Sequence, residues 1–133
     1  GTTLSANALA LAAMRATLEH VMTPAAYRHM ERLAGLLAAG LQETITARKL
    51  PWHVVRVGAR VEFVCAPGPL RNGTQAEAAH APALEQAIHL ALLNRGCLIA
   101  PFHNMMLACP ATTETQVARL LDAFAAVTDA LVS

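Results

Sequence analysis

The run Val54-Val55-Arg56-Val57-Gly58-Ala59-Arg60-Val61-Glu62-Phe63-Val64-Cys65 carries the clearest strand signal in the chain. It reads as two strands, Val54 to Val57 and Arg60 to Cys65, folded back on each other at Gly58-Ala59. In the second strand Val61, Phe63 and Cys65 alternate with Arg60, Glu62 and Val64. That alternation suits a sheet covered on one face only. Helical patterns lie on both sides of it. Upstream, Leu11, Met14, Leu18 and Val21 recur at helical spacing over Asn7 to Val21. Thr23-Pro24 then supplies an N-cap and a proline at the first helical position. The helix this opens carries Tyr27, Met30, Leu33 or Ala34, Leu37, Leu41 and Ile45 as one stripe, and Leu50-Pro51 stops it.

Downstream of the hairpin, Pro67, Gly68, Pro69, Asn72 and Gly73 predict a loop, with Asn72-Gly73-Thr74 as a turn. A helix is expected over Pro82 to Arg95, with Leu84, Ile88, Ala91 and Leu92 inward and Gly96 as its stop. Leu98 to Ala100 and Met105 to Ala108 have the length of short strands, separated by Pro101-Phe102-His103-Asn104. Thr113-x-x-Gln116 is a capping box that opens a last helix, with Val117, Leu120, Leu121, Phe124, Val127 and Leu131 facing in and Asp122 and Asp129 facing solvent. Strands bracketed by helices, with tight turns between neighbouring strands, predict an α+β fold rather than a doubly wound sheet.

The chain has 133 residues, enough for one domain with a real core. Its net charge of +1 and the lack of a basic stripe argue against a nucleic-acid partner. A membrane span is not expected, because the charge-free stretch from Gly96 to Thr113 is broken by Pro101, His103, Asn104 and Pro110. A hydrophobic share of 55% excludes disorder. Charged residues make up only 14%, against roughly 25% in ordinary domains. Either another domain or subunit covers much of the surface, or the composition is simply alanine-biased. The chain starts on Gly rather than Met and shows no basic leader, so it is expected to be a processed piece of a cytoplasmic protein. Cys65, Cys97 and Cys109 sit in apolar runs without a CxxC, as buried thiols in a reducing compartment would.

Most chemistries find little support in the residue inventory. No two of the six histidines have the spacing of a helical metal pair. His29 reads as solvated and His89 as a satisfied helical histidine. Nucleotide loops of the GxxxxGK[ST] and GxGxxG kinds are absent, as is a GxSxG nucleophile elbow. The stretch Thr2-Thr3-Leu4-Ser5-Ala6-Asn7 puts hydroxyls and free N–H groups before the first helix, which can hold a phosphate or cap themselves. Lys49 is the single lysine. At a helix C-terminus the dipole stabilises its ammonium, so it is a surface charge and not a Schiff-base lysine.

Thr3-Leu4-Ser5-Ala6-Asn7-Ala8-Leu9-Ala10-Leu11-Ala12-Ala13 resembles a segment of class III pyridoxal-phosphate-dependent aminotransferases, in the branch of glutamate-1-semialdehyde aminomutase. Val55-Arg56-Val57-Gly58, Leu92-Leu93-Asn94-Arg95-Gly96, Leu98-Ile99-Ala100-Pro101 and Ala111-Thr112-Thr113 agree with it in order. The resemblance implies the C-terminal part of a fold-type I enzyme that transfers an amino group through a lysine aldimine of pyridoxal 5'-phosphate. Residues 1–22 would be a helix leaving an upstream large domain, and residues 23–133 a small α+β domain with a mostly antiparallel sheet. Thr3 would contact the phosphate of a coenzyme held mainly by the partner subunit of a homodimer. The anchoring lysine and the aspartate facing the pyridine nitrogen would lie upstream, so the segment alone should be inactive. Ala6 and Ala8 depart from the commoner Gly and Pro. The arginine that many members place in the late strand segment is missing. His103 and Asn104 could replace it at the mouth for a small amino acid or oxo-acid substrate, or form a plain polar turn. Arg60 could reach a carboxylate or pair with Glu62. The competing reading is a free-standing module for dimerisation or small-ligand binding.

Overall fold

A computed structural model describes residues 7–100 and 103–132. Its elements run α1 (Ala8–His20), α2 (Pro24–Ala47), β1 (His53–Val57), β2 (Arg60–Val64), α3 (Gly73–Ala78), α4 (Pro82–Leu93), β3 (Met105–Leu107) and α5 (Glu114–Val132). The three strands form one antiparallel sheet in the order β1-β2-β3. This is the expected α+β arrangement. The hairpin pairs His53 with Val64 and Val57 with Arg60, leaving Gly58 and Ala59 as the loop. Gly58 has φ +57°, the conformation a tight two-residue hairpin asks of its first loop residue.

The core lies between the sheet and three helices, α2, α5 and α4, the last supplying Ile88 and Leu92. α2 buries Met30, Leu33, Ala34, Leu37, Leu41 and Ile45, so both candidates at the third stripe position point inward. Tyr27, expected on the stripe, is exposed. Val61 and Phe63 cover the inner face of β2, and Val117, Phe124 and Val127 close the core from α5. The ring of Phe63 stacks near Trp52 at 6.2 Å and meets Phe124 at 4.9 Å. Those contacts join β2 to the link between α2 and β1 on one side and to α5 on the other. Leu131, expected inward, is exposed at the far end of α5.

Local chemistry sets the helix boundaries. Thr23 caps α2 through Ala26 N–H at 3.2 Å, with Pro24 following as expected. The end of α2 comes earlier than the proline. Lys49 takes φ +53°, and Leu50 N–H donates to Ile45 O at 3.1 Å. Together with the Lys49 N–H bond to Thr46 O, this is a Schellman reversal with lysine where glycine is usual. α4 closes in the same way through Gly96, at φ +76°, with Cys97 N–H bonding Leu92 O at 2.9 Å. A side chain at Gly96 would collide with the Arg119 guanidinium. At α5 the capping box is complete, with Gln116 N–H to Thr113 Oγ1 at 3.3 Å and Thr113 N–H to Gln116 Oε1 at 2.9 Å.

Several expectations are corrected. The segment 73–78 is a helix, not loop. Asn72 accepts from Gln75 N–H at 2.9 Å, and the Gln75 side chain reaches back to Arg71 N–H at 2.7 Å. That reciprocal cap starts a turn that Ala76, Glu77 and Ala78 then propagate. Leu98–Ala100 is not a strand, because its contact with β3 is the single bond from Ala100 N–H to Met105 O. The α1 helix forms as read, and its recurring Leu11, Met14, Leu18 and Val21 are all exposed, with no residue of that helix buried.

Candidate functional site

Asn104 ends the turn before β3 with φ +43°, a left-handed conformation that asparagine tolerates better than most residues. Register then fixes its neighbour. β2 and β3 pair Glu62 with Met105, so Asn104 stands one step beyond the sheet, at the level of Phe63. His103 is exposed in the turn, whereas Asn104 is buried. Both line a cavity of about 220 Å³ with Glu62, Leu70, His80 and Glu85. The link between α3 and α4 supplies His80, and the first turn of α4 supplies Glu85. Glu85 is held in place by its own helix start, where Oε1 accepts from Ala81 N–H at 3.2 Å. Its Oε2 lies 3.6 Å from His80 Nδ1.

Arg60 does not reach this cavity. Its guanidinium donates to Glu62 Oε2 at 2.7 Å, so of its two expected roles the pairing with Glu62 is the one observed. The structure therefore brings His103 and Asn104 to one cavity, which Glu62 also lines, and leaves Arg60 outside it on Glu62. Thr3 lies outside the described residues. His80 and Glu85 were missed. Glu85 falls one residue past the capping-box position, which Leu84 occupies, so the box pattern does not mark it. Nothing local marked His80.

The N-terminus of α1 is capped by Asn7, whose side chain accepts from Ala10 N–H at 2.9 Å. The other N–H groups of that first turn have no partner within the helix. Lys49 stays exposed at the end of α2, as expected of a surface charge. A larger apolar groove of about 760 Å³ lies between α2, β3 and α5, floored by Leu33, Leu37, Met106, Val117 and Leu120. Among the described residues, no group of three or more His, Cys, Asp or Glu is placed to hold a metal ion, and no helix is long and apolar enough to cross a membrane.

Titratable groups away from the cavity divide by burial. Desolvation pushes the Cys65 thiol up to about 12, with the nearby Glu85 charge adding to it. Cys109 was expected buried but is exposed, because the chain leaves the sheet there and turns at Pro110 toward α5. The Thr112 hydroxyl donates to its sulfur at 3.4 Å and, with backbone N–H groups, holds its pKa below the ordinary thiol value. Asp129 is not simply solvated: Arg48 bonds both its oxygens, at 2.7 and 2.9 Å, and holds its carboxyl below the usual range. His29 is half-buried, its Nε2 bonded to Thr112 O at 2.8 Å, in place of the solvated ring expected. His89 Nδ1 is sealed without a partner, in place of the satisfied ring expected.

A three-stranded antiparallel sheet backed by long helices, with a polar turn at its β3 edge, is the architecture of the small-domain segment of fold-type I aminotransferases. The particular relatives are aminomutases. The chain superposes with TM-score 0.96 and 49% identity on a glutamate-1-semialdehyde aminomutase from Pseudomonas aeruginosa, covering 98% of this chain and 29% of that one. A second structure under the same name from that organism, in complex with PMP, matches with TM-score 0.93 and 50% identity over 96% of this chain and 28% of that one. By sequence, a glutamate-1-semialdehyde 2,1-aminomutase from an Anaeromyxobacter species is 39% identical over 99 residues, 74% of this chain and 23% of that protein. A β-phenylalanine aminotransferase from Variovorax paradoxus shares the fold alone, at TM-score 0.84 and 22% identity over 95% of this chain and 29% of that one. No family model matches. The chain thus spans 23–29% of the length of these relatives.

Proposed function

We propose that this chain is the part of a pyridoxal-phosphate-dependent amino-group-transferring enzyme that closes over the coenzyme. The observation that carries this reading is the 49% identity to an aminomutase sustained over 98% of the chain. Residues 1–22 are then a linking helix and residues 23–133 the small domain. Thr3 and the N–H groups opening α1 hold the phosphate, since a helix N-terminus presents donors and a favourable dipole to an anion. Bound, the coenzyme supplies an electron sink for amino-group chemistry.

This chain's own residues position and enclose. Asn104 and His103 face the substrate from the β3 edge, and Glu62, braced by Arg60, keeps that edge in place. The substrate is a small amino acid or oxo acid, and the anchoring lysine belongs to the upstream domain. That domain and a second copy of the protein cover the exposed stripe of α1, which accounts for the low charged fraction better than composition bias does. A cytoplasmic setting agrees with three unpaired cysteines.

The test is borohydride reduction of the full-length parent after incubation with pyridoxal phosphate, followed by peptide mapping. The coenzyme adduct is expected on a lysine outside these residues, and the chain expressed alone is expected to turn over no amino donor. An adduct on Lys49, or a parent that binds no coenzyme, would overturn the reading and favour a free-standing binding module.

A further inference from the structure

The segment between β2 and α4 is ordered within itself yet barely attached to the rest of the molecule. From Pro67 to His80 only Leu70 and Ala79 are half-buried, and every other residue is exposed. α3, in the middle of it, buries nothing. Among the described residues no helix or strand packs closely on α3. Its own hydrogen bonds stay inside the segment: Gln75 N–H to Asn72 Oδ1 at 2.9 Å, Arg71 N–H to Gln75 Oε1 at 2.7 Å, and Ala79 N–H to Gln75 O at 3.1 Å. Such a unit can move without breaking them, and a region with so little buried apolar contact opens at low cost.

Its two ends show where it would turn. At the first, His53 Nδ1 donates to Ala66 O at 2.7 Å and fixes the chain to β1. Pro67 and Pro69 then hold φ, which leaves Gly68 as the joint. Gly68 lies flat against the His53 ring, where a Cβ would come within 2.5 Å of ring carbons. At the other end Ala81, the N-cap of α4, makes no side-chain cap. There the attachment is Glu85, which accepts from Ala81 N–H at 3.2 Å through Oε1 and faces His80 Nδ1 at 3.6 Å through Oε2. That second distance is too long for a good hydrogen bond, so the latch is loose.

Under the segment lies the cavity of about 220 Å³. Leu70, Ala76, Ala79 and His80 roof it, while β2, α4 and the His103-Asn104 turn supply the other walls. The half-buried residues of the segment are thus the ones that touch this space. We propose that residues 67–80 are a flap that swings as one body on Gly68 and Ala81, uncovering Asn104 and His103 when open and sealing them when closed. Hinges of this kind are a few residues at element ends. Only its use rests on the function proposed above: an open flap admits substrate, and a closed one shuts water out.

The test measures distances by double electron–electron resonance in the full-length protein that contains this chain. The exposed Cys109 takes one nitroxide and Ala78→Cys, exposed on α3, takes the other. Upstream cysteines are replaced by serine, and the sample is diluted with unlabelled protein. Two distances are expected, against one for a control pair on Cys109 and Ala118→Cys in α5. Gly68→Ala wedges the joint away from His53 and should move the population to the second distance. Glu85→Gln keeps an oxygen for the Ala81 N–H but removes the charge facing His80, and should raise the open share by up to about fivefold. One narrow distance in the parent and in both variants would overturn the flap. Pyridoxal phosphate with aminooxyacetate, a small carboxylate that caps the coenzyme carbonyl, should collapse the two distances to the closed one. Two distances that this probe leaves unchanged would overturn the gating role. A parent that binds no coenzyme yet shows both distances would sink the enzyme reading and leave the flap standing.

Discussion

At the scale of single residues, the informative positions are those whose backbone or surroundings contradict their side-chain type. Lys49 holds a left-handed conformation that costs a non-glycine residue about 1 kcal/mol. Lys49→Gly should therefore stabilise the chain by about 0.5–1 kcal/mol, seen as a higher urea midpoint at unchanged slope. The cysteines divide the same way. At pH 8 a maleimide should label Cys109 first, because its exposed sulfur has a lowered pKa and a larger thiolate fraction. Cys65, raised to about 12, should stay unlabelled until the protein unfolds; mass spectrometry of the labelled peptides reports the order. The sequence placed all three sulfurs in similar apolar runs. What separates them is that Cys65 ends under the sheet near Glu85 while Cys109 is carried out on a turn.

Elements were legible where a cap and a stripe agree. Thr23-Pro24 with the α2 stripe, and Thr113-x-x-Gln116 with the α5 stripe, each state a start and a buried face; both helices start as read and bury most of their stripe, with Tyr27 and Leu131 left exposed. Thr113→Ala removes the acceptor for Gln116 N–H and should cost about 1 kcal/mol, measurable as a fall in melting temperature with near-native far-UV dichroism. The signals failed where only length or composition spoke. Leu98 to Ala100 has the residues of a strand, but a strand needs a neighbour's backbone in register, and β3 offers it a single bond. The start of α3 was hidden among turn formers because Asn72 serves equally well in a turn and as an N-cap.

For the whole molecule, stability centres on the contact of Trp52, Phe63 and Phe124, which binds β2 to the link before β1 and to α5. Phe124 is fully buried. Phe124→Ala should cost about 3–5 kcal/mol, a large share of the ~5–15 kcal/mol available to a domain. Loss of the cooperative thermal transition would register it, whereas a change below 1 kcal/mol would show that α5 packs elsewhere. The same packing brings Glu62, Glu85 and Asn104 around one cavity, although they come from three separate stretches of chain.

The sequence by itself determined the helices with matched caps and stripes, the hairpin at Gly58-Ala59, and the segment of enzyme to which the chain is similar. These are short-range properties, set by spacing, propensity and turn geometry within a few residues. Tertiary structure alone decided that β3 pairs with β2, that Arg60 is committed to Glu62, and that His80 and Glu85 join Asn104. Those outcomes depend on which distant groups packing brings within a few ångströms, and local patterns carry no record of that.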